Sequence, residues 1–150
     1  MSKVIEKTID EICSIAKRNG SLTMETINKM PGQFPVYAAS VGIAIGYINS
    51  YLNDEPAIII PTAGNGTAGK AYVVTDKFYT IGANAVGFIP AKNIDINYLF
   101  FQLKNILSSL VKGESFKNIS QRMIKKIKII IPIKDDKTFD LEEQQRLSGI

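Results

Sequence analysis

The spacing of apolar residues changes period several times along this chain, and each change predicts an element. Ile5, Ile9, Ile12 and Ala16 recur at helical spacing, which predicts a helix from about Lys3 that fades before Asn19-Gly20. The segment from Thr23 to Met30 reads as a second short helix, stopped by Pro31-Gly32. From Val36 to Phe88 the texture becomes brief β-branched and aromatic runs separated by Gly, Pro, Asn and Asp. These are Val36 to Ala38, Ile43 to Ile48, Ala57 to Ile60, Ala71 to Thr75, Phe78 to Ile81 and Ala85 to Ile89. Runs this short, at this spacing, predict a curled antiparallel or mixed sheet.

The helical period returns at Asp95, a suitable N-cap. Tyr98, Leu99, Leu103, Ile106, Leu107 and Leu110 then form a stripe that Gly113 closes, as expected of a helix packed on the sheet. Ser120 can cap another short helix from Gln121 to Lys126, which feeds a strand from Lys128 to Ile133. Asp140 to Ile150 starts a third helix with acids in its first turn, favourable to the helix dipole. Leu141, Leu147 and Ile150 have too few turns to bury themselves, so the helix reads as the opening of a longer coiled one. Self-association through it, or a requirement for a partner, is the expected consequence.

Composition bounds the class. With 150 residues, 45% hydrophobic and 21% charged, the chain suits one globular domain with a real core. Apolar runs such as Ile127 to Ile133 are broken by lysine or proline well short of the ~20 residues of a membrane helix. Glu6, Asp10 and Glu11 interrupt any signal-peptide core, and a cytoplasmic location is expected. The formal net charge is +4, and the excess is uneven. Between Lys112 and Lys128 a run of lysines and Arg122 faces only Glu114, a patch that attracts phosphates by counterion release. A solvated lysine-rich face is the alternative reading of that patch.

Candidate chemistry is sparse. There is no histidine and one cysteine, Cys13, which argues against a disulfide, a zinc site or the commonest general base. Gly64 to Lys70 has the G-x-x-x-x-G-K spacing of a phosphate loop, but position 71 is Ala, without the magnesium-binding hydroxyl. The AYVVT that follows is strand rather than helix, so the glycines read as a tight hairpin. The N/D-P-P-Y/F motif of DNA methyltransferases is missing. Asp54-Glu55-Pro56 lacks the acid-acid-lysine set of a nuclease, and Asp135-Asp136 reads as a solvated turn rather than a metal pair. No chemistry, no metal and no cofactor are expected of the chain itself.

Five pieces in order carry a family resemblance. Pro35-Val-Tyr-Ala-Ala-Ser40 is similar to a Y/F-P-V-Y-x-A/S-S segment, Gly46-Tyr-Ile48 to a G-x-I step, and Ile58 to Gly64 to a strand entering a polar glycine turn. Asp95-Ile-Asn-Tyr-Leu99 is similar to an I-D-x-x-Y-L helix start, and Gly113 to Ile133 to a closing I-S and I-x-I-P-x-P segment. Together they resemble a target-recognition domain of type I restriction-modification DNA-specificity subunits. Phe34 in place of Tyr, and Ile133-Lys134 in place of a final proline, depart from the pattern. Glu142-Glu-Gln-Gln145 resembles the opening of the family's spacer helix, and the family pattern puts a strand around Glu11 to Lys17, preceded here by a short helix.

The resemblance implies an α/β (α+β-like) fold with a twisted, mainly antiparallel sheet. It divides the chain into a target-recognition domain at 1–138 and the beginning of a spacer helix at 139–150. It also implies pure recognition of one half of a split site in double-stranded DNA. Separate modification and restriction subunits would supply methyl transfer with S-adenosylmethionine and ATP-driven cleavage, and a second recognition domain or a homodimer would pair through the spacer. Candidate DNA contacts are Asn65, Thr67 and Lys70 in the hairpin, Tyr37 and Ser40 near a sheet edge, and Lys117, Asn118, Ser120, Gln121 and Arg122 in the basic corner. Two alternatives keep the fold: the recognition segment of a fused restriction-methyltransferase enzyme, and an inhibitor or interaction module binding restriction subunits. The latter should lose the basic corner, which is present.

Overall fold

The computed structural model describes residues 3–19, 21–38, 42–64, 67–80, 84–110 and 119–149. In chain order the elements are β1 (Lys3–Thr8), α1 (Ile9–Ile12), β2 (Cys13–Ile15), α2 (Met24–Lys29), β3 (Pro31–Tyr37), β4 (Gly46–Ile48) and β5 (Ala57–Pro61). After these come β6 (Tyr72–Val74), β7 (Tyr79–Thr80), β8 (Ala85–Pro90), α3 (Ile96–Leu110), α4 (Gln121–Lys125), β9 (Lys128–Ile133) and α5 (Leu141–Ser148).

The strands form three small sheets, with orders β1-β9, β2-β8-β5-β6 and β4-β3-β7. All pairings are antiparallel except that of β3 with β7, where Val36 lies beside Tyr79 and Tyr37 beside Thr80. The mainly antiparallel expectation therefore holds. The six runs from Val36 onward, however, divide between two sheets instead of completing one.

Alternation explains why β5 is apolar at every position. Ile58 and Ile60 join Val86 and Phe88 of β8 in a core closed by Leu99, Leu103 and Leu107 of α3, while Ala57 and Ile59 point to a second cluster with Tyr72, Val74 and Phe78. A strand buried on both faces needs no polar alternate positions. The helix predicted from Asp95 is α3, with the Asp95 carboxylate accepting from the Tyr98 N–H at 2.8 Å. Thr23, Ser120 and Asp140 cap α2, α4 and α5 in the same manner, accepting from Thr26, Met123 and Glu143. The stop expected at Gly113 lies outside the described residues.

The N-terminal helix is corrected. Lys3–Thr8 is a strand, paired residue by residue with β9 from Lys3 opposite Ile133 to Thr8 opposite Lys128. Helical spacing is satisfied for only one turn, Ile9–Ile12, where both isoleucines are buried. The expected strand follows as Cys13–Ile15. A ladder with a distant strand supplies a hydrogen bond for each backbone group, so it overrides a local period.

The outer edge of β9 is closed by side chains. Gln102 of α3 donates Nε2 to the Ile130 carbonyl at 2.7 Å and accepts the Ile130 N–H at 3.1 Å, reproducing the bonds of a neighbouring strand. The Tyr98 hydroxyl donates to the same carbonyl. Such a plug leaves β9 no free edge at that point.

After β9 the chain turns through Lys134 to Thr138, where Lys137 alone among described non-glycine residues has a positive φ, 70°. Lys137→Gly is expected to raise stability by about 0.5–1 kcal/mol, since glycine takes that conformation without Cβ strain. Thermal or urea unfolding of the variant checks it, and a lowered midpoint contradicts it.

Candidate nucleic-acid interface

Two regions far apart in sequence meet at one backbone hydrogen bond. The β5–β6 connection is a hairpin in which Gly64 (φ 116°) and Gly69 (φ 80°) take positive-φ conformations that favour glycine. Within it the Thr67 and Ala68 N–H groups donate to the Gly64 carbonyl, and Gly69 donates to Pro61. Strand β6 follows, so the phosphate-loop spacing has no helix behind it. At the base of this hairpin the Thr62 carbonyl accepts the Ile119 N–H at 2.8 Å, and Ile119 leads directly into Ser120 and α4.

Their junction walls a cleft of about 340 Å3, lined by Arg18, Thr62, Ala63, Asn84, Ala85, Val86, Ile119, Ser120 and Gln121. A second hollow of about 330 Å3 is formed by Asp10, Gln121, Arg122, Lys125 and Lys126. Gln121 belongs to both, so a polar cleft and a basic hollow share a wall. Ser120 and Arg122 are exposed and Gln121 half-buried, leaving their side chains open to a ligand.

The sequence candidates separate in space. Ser120, Gln121 and Arg122 lie at the junction. Thr67 is half-buried, its hydroxyl donating to the Ala63 carbonyl at 3.2 Å beside the cleft, and Lys70 is exposed on the same hairpin. Tyr37 is elsewhere: its ring packs against Tyr72 and Phe78, with centroids 5.7 and 6.3 Å away, and it lines a hollow with Phe34, Tyr47, Asp76 and Lys77. Burial pushes the Tyr37 hydroxyl above its usual pKa, with smaller contributions from Tyr47 and Asp76. Ser40, Asn65, Lys117 and Asn118 lie outside the described residues.

Sequence reasoning missed Arg18 and Asn84. Arg18 follows a strand in a polar stretch and Asn84 precedes one among small and apolar residues, neither within a motif, and only folding brings them to the cleft. Both stand on tied backbone. Lys17 exchanges two 2.8 Å bonds with the buried Asn53 amide, the Asn19 N–H donates to Thr80, and the Asn84 carbonyl accepts the Thr62 N–H.

A larger cleft, about 700 Å3, lies between β2, β8 and α5, with Glu11, Cys13, Glu55, Lys92, Asp95, Leu141 and Gln145 in its wall. Its acids outnumber its one lysine, which disfavours phosphate. Burial pushes the Cys13 thiol up to about 12, so it stays protonated and unreactive at neutral pH. Among the described residues, no group of three or more Cys, Asp or Glu comes together to hold a metal ion.

Solved structures that superpose on this fold include type I restriction-modification S subunits. A type I restriction-modification system S subunit from M. genitalium superposes with a TM-score of 0.76 at 18% identity, covering 99% of this chain and 38% of the other. The HsdS subunit from Thermoanaerobacter tengcongensis gives 0.70 at 16%, covering 97% and 36%. A structure bearing on complex assembly and conformational transition of the type I R-M system gives 0.70 at 17%, again covering 97% and 36%. The chain thus spans a little over a third of the length of each. No curated protein matches it. No helix among the described residues is long and apolar enough to cross a membrane. The type I restriction modification DNA specificity domain matches residues 1–148, nearly the whole chain, and the chain belongs to that family.

Proposed function

We propose that this chain reads one half of a bipartite duplex DNA site for a type I restriction-modification complex, contributing recognition and no chemistry. The observation that carries this reading is the Ile119–Thr62 bond, which joins the glycine hairpin and the basic corner into one surface. Recognition of duplex DNA needs cations for phosphates beside amides or guanidinium groups for base edges, and the two adjoining hollows supply both. Residues 1–138 act as the recognition domain, and α5, in 139–150, opens a spacer helix. Pairing through that helix with a second recognition domain or copy, docking of modification and restriction subunits, and a cytoplasmic location complete the reading.

Measuring binding of the chain, alone and with a modification subunit, to duplex DNA across a salt series tests it. Arg122→Ala and Lys125→Ala should each weaken all duplexes alike and reduce the slope of log K against log salt by about one. Unchanged slopes for both would mean that the basic corner is only a solvated face.

A further inference from the structure

We propose that Arg18, together with Asn84 and Gln121, reads base edges from the cleft, Arg18 selecting guanine, while the adjoining Arg122, Lys125 and Lys126 take the backbone phosphate. The inference rests on the DNA-reading function and assigns the readers within it.

Three observations carry it. The first is chemical. Side chains that present paired or forked groups are those that distinguish bases in the major groove: an arginine fork matches guanine O6 and N7, and an Asn or Gln amide matches adenine N6 and N7. The cleft lining contains one arginine, two such amides and no acid. The neighbouring hollow has three cations, Arg122, Lys125 and Lys126, against Asp10, a net positive surface that suits phosphate, a contact that carries no sequence information. Gln121, in the wall of both, puts the two kinds of contact side by side.

The second is positional. A reader must be held in register, and Arg18 sits between two anchored residues. Lys17 is bonded at both its N–H and its carbonyl to Asn53, which is 4% exposed, and its carbonyl also accepts the Thr80 hydroxyl at 3.0 Å. Asn19 N–H donates to Thr80 at 3.0 Å. Asn84 is held through Thr62, and Gln121 follows Ser120, whose hydroxyl caps α4 by accepting the Met123 N–H. Each backbone is fixed while the side chains of Arg18 and Asn84 are exposed, which keeps the ordering cost of binding low.

The third is that Arg18 is uncommitted. Among the described residues it makes no ion pair, whereas Lys7, Lys29, Lys128 and Arg146 each have an acidic partner. A guanidinium kept free of carboxylates beside two amides is available for a polar ligand.

Selection from a duplex library with a randomised core, using the chain assembled with a modification subunit, tests the assignment. The wild type should enrich guanine at a defined position. Arg18→Ala should cut that preference about tenfold to a hundredfold, the discrimination of one bidentate pair, while the remaining motif and the salt slope persist. Arg18→Lys should restore it only in part, because an ammonium reaches guanine O6 and N7 as a point charge without the planar fork. A uniform loss of affinity with a salt slope lower by about one would make Arg18 a phosphate contact and overturn the assignment, leaving the DNA-reading function intact. An unchanged motif in Arg18→Ala would overturn it as well. A wild-type assembly that binds duplexes without enriching any sequence would instead defeat the reading on which the assignment rests.

Discussion

Phe78→Ala is expected to cost about 3–5 kcal/mol, the range for deleting a fully buried aromatic ring. Phe78 has no exposed surface and joins two sheets. Its backbone donates to the Asn53 carbonyl and accepts from the Leu52 and Asn53 N–H groups, immediately before β7 of the three-stranded sheet. Its ring meanwhile fills the cluster formed by Ala57, Ile59, Tyr72 and Val74 of the four-stranded sheet. Tyr37, which rests on the same ring, would lose that wall. Urea unfolding should show a lower midpoint, and a loss under about 1 kcal/mol would mean that the two sheets are joined elsewhere.

Gln144→Leu is expected to cost about 1–3 kcal/mol despite its near-equal volume, because it takes the hydrogen-bond partner from two part-buried backbone groups. Gln144 is fully buried in α5. Its Oε1 accepts the Asp95 N–H and its Nε2 donates to the Asn93 carbonyl, both at 2.8 Å, so one amide clamps the start of α3 to α5. Apolar substitution satisfies neither group. Hydrogen exchange at the Asp95 amide should accelerate with the loss of stability. Wild-type exchange at that amide would show that α5 is held by its other contacts.

Legibility of the fold follows the range of the interactions. Helix α3 was readable because Asp95 caps it and Leu99, Leu103 and Leu107 recur on one face, all within a few residues of each other. The apolar run at Ala57–Pro61 was readable as a strand because β-branched residues bounded by Pro and Gly have few other uses. Lys3–Thr8 was misread since its partner, Lys128–Ile133, is at the other end of the chain and nothing local marks the pairing. The division into separate sheets depends on the parallel contact of Val36 with Tyr79, also remote in sequence. The site obeyed the same limit. Ser120, Gln121 and Arg122 announce themselves by a cap and a charge run. Arg18 and Asn84 acquire meaning only where the anchored Lys17 and Thr62 bring them to the same hollow.

The bond between Ile119 and Thr62 runs from main chain to main chain, and such a bond is indifferent to the side chains on either side of it. Both loops can therefore exchange their polar residues without losing their mutual alignment. A scaffold tied in this way separates the upkeep of shape from the choice of letters. On the assignment proposed above, new target sequences become reachable by single substitutions at Asn84 or Gln121, which adjoin this bond, with no intermediate that must refold.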